Sequence, residues 1–387
     1  MDDASRALAL AQFVERCNAL PPQQMPPLYR RLLDDSCDSF ASKWLIARNF
    51  VVEDAFAMFV AACEFRLVRG LDDLSLFPSA TALQGYDVAE LIAFTGKPPR
   101  VRPAELDTIV RNIRTCVTRC WHKCDKVRTH PADAIDLLGC VICAHQFLFI
   151  ISNFAFWKGG RPVCIERTGR INSKKLCNVH KSLMTAADPS PIFTAHLHSV
   201  EVGRALMRYN NSKRAAGSDE VTQVTVIMDV AGLGMHTLYP PALALLRANG
   251  ASKTEPKCAF VSAPSPAAHR PSSSGNADQN FYPESLYKLF VVNTPAIISV
   301  AWRIISPWVD ARTKTKIVFL KPGETAEELR KHIHEEALPA DLGGTCACEG
   351  GCLMDETSAD DDGFIRVPVN VKKGAKCVML FHHCIFL

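Results

Sequence analysis

Residues 159–172 read Gly-Gly-Arg-Pro-Val-Cys-Ile-Glu-Arg-Thr-Gly-Arg-Ile-Asn. The glycine pair marks a turn, and the short apolar run that follows, Pro162 to Glu166, reads as a strand. Just upstream, Leu137 to Trp157 carries no Asp, Glu, Lys or Arg over a length that could span a bilayer. It includes His145, Gln146, Ser152 and Asn153 and runs directly into the Lys158-Gly159-Gly160 turn. A buried helix feeding the strand is the expectation.

Working outward, the pattern downstream alternates. Val221 to Asp229 is β-branched and ends at Ala231-Gly232-Leu233-Gly234, and Leu289 to Val292 and Ile317 to Leu320 are further short apolar runs. Helical candidates lie at about 238–249, 281–288, 296–309 and 324–336. Strands separated by helix-length segments predict an α/β sheet with crossover helices. Residues 1–75 look different: Phe40, Trp44, Leu45, Phe50, Ala55, Met58 and Phe59 recur at helical spacing until Gly70 stops the run. Asp34, Asp35, Ser36 and Asp38 are expected to cap these helices. The division expected is a helical bundle at 1–75, an insertion at 76–154, an α/β lobe at 155–345 and a cysteine-containing loop and tail at 346–387. A disordered loop is expected at about 252–280, Pro/Ser-rich from 262.

The insertion contains the strongest charge signal. Arg100 to Arg128 holds eight Lys/Arg against three Asp/Glu, within a chain whose net charge is only +4. Leu106, Ile109, Val110, Ile113, Val117, Cys120, Trp121 and Cys124 follow helical spacing, with Arg111, Arg114, Arg119, Lys123 and Lys126 on the other side. This predicts a basic amphipathic helix, either packed on the core with a solvated cationic face or lying on an anionic membrane. Nucleic acid is not the expected partner, because the overall charge is nearly balanced. The 387-residue length suits two or three domains, and 48% hydrophobic against 22% charged residues excludes a disordered or rod-like chain. The opening Met-Asp-Asp shows no secretory pattern, so the 16 cysteines are expected as reduced thiols in a cytosolic protein.

Catalytic patterns are weak. Ala231-Gly232-Leu233-Gly234 lacks the third glycine of a dinucleotide fingerprint, Thr237 standing in its place. No nucleophile elbow and no HExxH helix occurs in the sequence. His145 and His180 are isolated and expected to be structural. Cys116, Cys120 and Cys124 read as small buried thiols on one helix face. Cys346-x-Cys348-x3-Cys352 is the better metal pattern, with His382 or His383 as a fourth ligand. No metal or cofactor is assigned on this pattern.

Five blocks in order carry a resemblance. They are Trp44-Leu-Ile-Ala-Arg48-Asn49-Phe50, Gly160-Arg-Pro-Val-Cys-Ile-Glu-Arg167, Ile227-Met-Asp229-Val-Ala-Gly232, Asn280-Phe-Tyr282-Pro283-Glu284 with Asn293-Thr-Pro295, and Leu338-Pro-Ala-Asp-Leu-Gly343-Gly-Thr-Cys-Ala-Cys348. Together they resemble the CRAL-TRIO lipid-transfer family, and most of all its yeast and plant phosphatidylinositol/phosphatidylcholine transfer proteins. The likeness covers about 36–75 and 155–355. It makes the cysteine loop a feature shared with the plant subgroup rather than a private zinc site.

The resemblance implies a helical bundle beside an α/β lobe whose mixed sheet floors an apolar pocket closed by a gate helix. The ligand would be a phospholipid, with no cofactor. About 30 methylenes carried bare through water would cost over roughly 20 kcal/mol at about 0.8 kcal/mol each, so a carrier has to enclose both tails. Ile297, Val300, Ala301, Ile304, Ile305 and Trp308 form the apolar stripe at the gate position. By position in the motifs, Arg48 and Lys288 correspond to headgroup cations, and Ser285 stands where the family often has Thr. Asn49 replaces the usual lysine, removing one phosphoinositide contact. Glu166 and Asp229, at strand ends, are expected to be structural.

The implied function is non-enzymatic exchange of phosphatidylinositol or phosphatidylcholine between membranes. The protein would be a cytoplasmic monomer that touches membranes transiently, Golgi or endosomal ones included. The alternative is a membrane-recruited module that senses another hydrophobic ligand. At the C-terminus, Cys384-Ile-Phe-Leu387 fits a prenylation motif with Lys372, Lys373 and Lys376 upstream. The same stretch also reads as a β-hairpin over 363–387.

Overall fold

In a computed structural model of the chain, residues 1–74, 76–77, 83–95, 104–114, 116, 119–124, 160–186, 188, 190–214, 217–234, 280–348 and 352 are described. For 104–107, 124, 304 and 308 this holds for the backbone alone. The apolar run 137–157, the helical candidate at 238–249, almost all of the 252–280 loop, His382, His383 and Cys384 lie outside the described residues.

The N-terminal region folds as expected into four helices, α1 (Asp3–Asn18), α2 (Pro27–Asp35), α3 (Cys37–Ala47) and α4 (Val52–Val68). Their apolar stripes close on aromatic rings: Phe13, Tyr29, Trp44 and Phe59 are fully buried. Tyr29 stacks on Phe59 with centroids 5.6 Å apart, and Trp44 meets Phe59 edge-on at 5.2 Å. Gly70, at φ +57°, ends the run after α4 in the left-handed region that glycine enters freely. Ser36 stands before α3 but does not cap it through its side chain. Its hydroxyl instead donates to Glu220 of the lobe at 2.7 Å.

The lobe is a six-stranded sheet in chain order: β1 (Leu83–Gln84), β2 (Arg119–Cys124), β3 (Pro162–Glu166), β4 (Val224–Asp229), β5 (Leu286–Val292) and β6 (Ile317–Phe319). Only the β2–β3 pair is antiparallel. β3 and β4 are buried along their whole length, as strands covered on both faces must be. On one face lie α7 (Ser173–Leu183), α8 (Pro191–Ser212) and α9 (Ile298–Ile305), packed on Cys164, Val226, Met228, Leu289 and Val291. On the other, α11 (Pro322–His332) and the segment to Leu342 cover Val163, Ile165, Ile227, Phe290 and Val292.

Two expectations are corrected here. The basic amphipathic helix does not run to Cys124: α6 spans Ala104–Arg114, and Arg119–Cys124 is strand β2. Cys120, Trp121 and Cys124 therefore sit on a strand paired with Ile165, Cys164 and Pro162. The described residues of 76–154 pack with the lobe: β1, α5 (Val88–Thr95), α6 and β2 extend its sheet and its core. Trp121 settles against α8 at Gly203, where an added Cβ would come within 2.5 Å of the indole. The 281–288 helix is likewise absent, since Leu286 already opens β5.

Candidate functional site

α9 lies where the resemblance implies a gate helix, and its burial is one-sided. Ala301 and Ile305 are each only 2% exposed, whereas Val300 is 44% exposed. Ile297, Ile298 and Trp302 are half-buried against the sheet core, and Trp302 meets Phe319 of β6 edge-on at 5.2 Å. At about 100° per residue, Ile298, Ala301, Trp302 and Ile305 share one face centred roughly 150° away from Val300. The expected stripe is thus rotated: Val300 points outward, and Ile298 and Trp302 join the inward face. Ile304 and Trp308 are described only in backbone.

The three headgroup candidates are not gathered on that face. Lys288 shares its side of β5 with Phe290, lying 5.9 Å from that ring's centroid. Its Nζ is 3.4 Å from His332 Nε2 on α11, across the sheet from α9. Arg48 ends α3, half-buried, and donates to the carbonyl of Ala47 at 3.1 Å. Burial lowers its guanidinium from the ordinary value, with Asp54 opposing. Ser285 is buried and donates to the Tyr282 carbonyl at 3.0 Å.

The chain neighbours of Arg48 and Ser285, Asn49 and Glu284, are nevertheless linked through Arg312 across the seam between bundle and lobe. Arg312 donates to Asn49 at 3.4 Å and pairs with Glu284 at 3.2 Å, and Lys316 holds the other Glu284 oxygen at 2.9 Å. Asn49 and Glu284 both have φ just above +50°, where Asn is among the best tolerated non-glycine residues. That is a backbone reason for Asn at position 49. Along the same seam a cavity of about 70 Å³ is lined by Lys43, Trp44, Arg204, Glu220 and Ser285 among others. This is well below the roughly 300–1,000 Å³ of small-molecule sites. Burial, with Arg204 adding repulsion, lowers the Lys43 ammonium to about 7, and its Nζ donates to the Thr222 carbonyl. Lys43, Arg312 and Lys316 escaped the sequence reading because nothing in their local spacing marks them.

The seam's strongest tie is buried. Arg66 of α4 grips Glu201 of α8 through two bonds of 2.6 and 2.8 Å, and Tyr282 donates to the same carboxylate at 2.8 Å. Burial pushes the Glu201 carboxyl up, but Arg66 and Arg204 outweigh it and hold the group at about 2. The expected structural roles of Glu166 and Asp229 match their surroundings. Glu166 accepts from Arg119 at 2.6 Å. Asp229 pairs with Arg167 and accepts from Asn293 at 2.9 Å and the Ala231 amide at 3.0 Å. The Ala231–Gly234 turn packs on the one at Gly169: a Cβ on Gly169 would lie 2.0 Å from the Ala231 carbonyl oxygen, and one on Gly232 would lie 3.2 Å from the Gly169 carbonyl oxygen.

Among the described residues no helix is long and apolar enough to cross a membrane. No disulfide joins the ten cysteines whose side chains are described.

Comparison with known proteins agrees with this architecture. The CRAL/TRIO domain profile matches residues 274–344, which take in β5, α9, β6 and α11. Phosphatidylinositol/phosphatidylcholine transfer protein SFH11 of Arabidopsis thaliana is 30% identical over 209 residues, 53% of this chain and 46% of that protein. SFH14 of the same plant is 31% identical over 51% of this chain and 28% of its own length. The Sec14 cytosolic factor of Schizosaccharomyces pombe is 28% identical over 51% of this chain and 56% of its own. The chain thus spans about half or less of the curated relatives it matches. A solved structure, "Crystal structure of Sfh5", aligns with a TM-score of 0.46 at 14% identity over 85% of this chain and 84% of that one. The chain thus resembles a CRAL/TRIO domain over 274–344 and, over about half of its length, phosphatidylinositol/phosphatidylcholine transfer proteins of a plant.

Proposed function

We propose that this protein is a non-enzymatic carrier that binds phosphatidylinositol or phosphatidylcholine and exchanges it between membranes. The observation that carries this reading is α9. A short helix with two buried anchors, Ala301 and Ile305, keeps Val300 outside and Ile297, Ile298 and Trp302 only half-covered. Such a helix can swing off the sheet at modest cost and present apolar side chains to a bilayer. In this reading the tails lie between α9 and the sheet, and the helix shuts over them. The printed names of the relatives, all transfer proteins or cytosolic factors, favour the same conclusion.

Arg48 and Ser285, on the bundle–lobe seam with Lys43, Arg312 and Lys316 nearby, are the contacts proposed for the headgroup. Lys288, on the opposite face of the sheet beside His332, stands apart from this set. Fixed cations and hydroxyls suit a phosphate in this role. The carrier acts as a monomer in the cytosol, meeting Golgi or endosomal membranes only while loading and unloading.

Donor vesicles containing labelled phosphatidylinositol or phosphatidylcholine, mixed with unlabelled acceptors, test the proposal. Label transfer well above a protein-free blank is the expected result. Transfer no faster than the blank with either lipid, from protein shown to be folded, overturns it.

A further inference from the structure

The cysteine loop and strand β2 are far apart in sequence but meet on the back face of the sheet, the face away from α9. His122 is fully buried there. Its Nδ1 lies 3.0 Å from the Ala337 carbonyl, which can only accept, so Nδ1 carries the proton and Nε2 keeps its lone pair. That nitrogen faces two thiols, 3.7 Å from Cys346 Sγ and 3.6 Å from Cys348 Sγ. The two sulfurs are 3.3 Å apart. Cys352 completes the group, and all four ligand atoms lie within 4.8 Å of one another.

We propose that His122, Cys346, Cys348 and Cys352 form a tetrahedral Cys3His site for a structural zinc ion. With Zn–S of about 2.3 Å and Zn–N of about 2.0–2.1 Å, a tetrahedral site sets sulfur and nitrogen about 3.6 Å apart and two sulfurs about 3.8 Å apart. The Nε2 distances to Cys346 and Cys348 already match, and those two sulfurs need to part by about half an ångström. Cys352 Sγ, which donates to the Cys346 carbonyl at 3.2 Å, would turn from that bond to the ion. Four protein ligands leave no open position, so the site is a staple and not a catalyst.

The surroundings fit a metal on two further counts. The hydrogen bond to Ala337 fixes the imidazole's tautomer and direction, as outer partners of zinc-bound histidines commonly do. Three thiolates and a neutral imidazole around a divalent ion leave one net negative charge, and Lys123 stands beside it, its Nζ 3.0 Å from Cys346 Sγ and 2.9 Å from the Glu336 carbonyl. The loop is also shaped in advance. Thr345 N–H donates to the Glu335 carbonyl at 2.7 Å and Cys346 N–H to the Leu338 carbonyl at 3.1 Å. A Cβ on Gly344 would fall 1.8 Å from the Leu338 carbonyl oxygen, so the Gly-Gly pair is what lets the chain fold back to deliver Cys346. Zinc would thereby clip the segment after α11 to β2.

The expected fourth ligand changes with this assignment. His382 and His383 were the histidines expected beside the cysteine loop, and β2 supplies His122 instead.

Elemental analysis of the purified full chain, expressed in zinc-supplemented medium, tests the site. One zinc per chain is expected, with at least a tenfold loss in His122→Ala and Cys346→Ser and retention in His122→Cys, which offers a fourth thiolate. Zinc-free wild type, or zinc undiminished in folded His122→Ala, overturns the proposal. Should the variants fail to fold, cobalt(II) added to chelator-treated wild type decides. Intense tetrahedral bands with thiolate charge transfer are expected, and a weak octahedral spectrum overturns the assignment.

Discussion

The two faces of the sheet are covered in different ways. On the back face, Phe290, Val292 and Leu329 are wholly out of solvent, and Leu338 and Ile333 seal the layer. On the other face, α9 lies over Leu289 and Val291 with Ile298 and Trp302 only half-buried and Val300 exposed. Both coverings use Leu, Ile and Val, so composition alone does not separate them. The difference is in length and fastening. α11 has eleven residues, a first turn in which Glu324 accepts from the Lys321 N–H at 3.1 Å, and an adjoining loop bonded back onto it through Arg330 and Gly343. α9 has eight residues and no side-chain cap. A sheet can thus have one face fixed and one face free to move, with the bundle clamped at the side by Arg66 and Glu201.

The largest effect should come from that clamp. Glu201→Gln leaves the buried Arg66 with Asp72 as its remaining carboxylate partner and should cost about 3 kcal/mol, read by urea unfolding. Because the Glu201 carboxyl is held at about 2 against an ordinary 4.5, its stabilisation is complete above about 4.5. It declines as pH falls from there and is gone below about 2. Wild type should therefore lose more stability than Glu201→Gln between those limits, and parallel curves would refute the assignment. Next, Leu329→Ala on the fixed face should cost about 2–5 kcal/mol. A loss under about 1 kcal/mol would mean that this face is less tightly packed than its burial implies. The smallest stability change belongs to the gate: Val300→Ser should stay within about 0.5 kcal/mol yet slow lipid transfer between vesicles. An unchanged transfer rate would sever the outward face of α9 from function.

Much of this layout was legible in advance. The bundle, strands β3 to β6 and α9 follow from strong local periodicity, and the packing of Trp44 and Phe59 matches their spacing. The stretch 104–124 was misread for a physical reason. Cys116, Cys120 and Cys124 fall four apart and satisfy a helical period, while Cys120, His122 and Cys124 also alternate as a strand requires. What decides between them is pairing with Cys164 and Ile165, more than 40 residues away, which local spacing does not encode. The same distance hid His122 from the cysteine loop. Val300 was misplaced because a stripe drawn across 297–308 treats one helix as longer than the eight residues that form it. At the seam, Lys43 and Arg312 carry no pattern, only position.

The contact of Gly169 with Ala231 constrains more than two turns. It interlocks the ends of β3 and β4, the two central strands, so neither can lengthen its turn without driving the other's backbone aside. Extra chain acquired by such a protein has to be spliced where no such interlock exists.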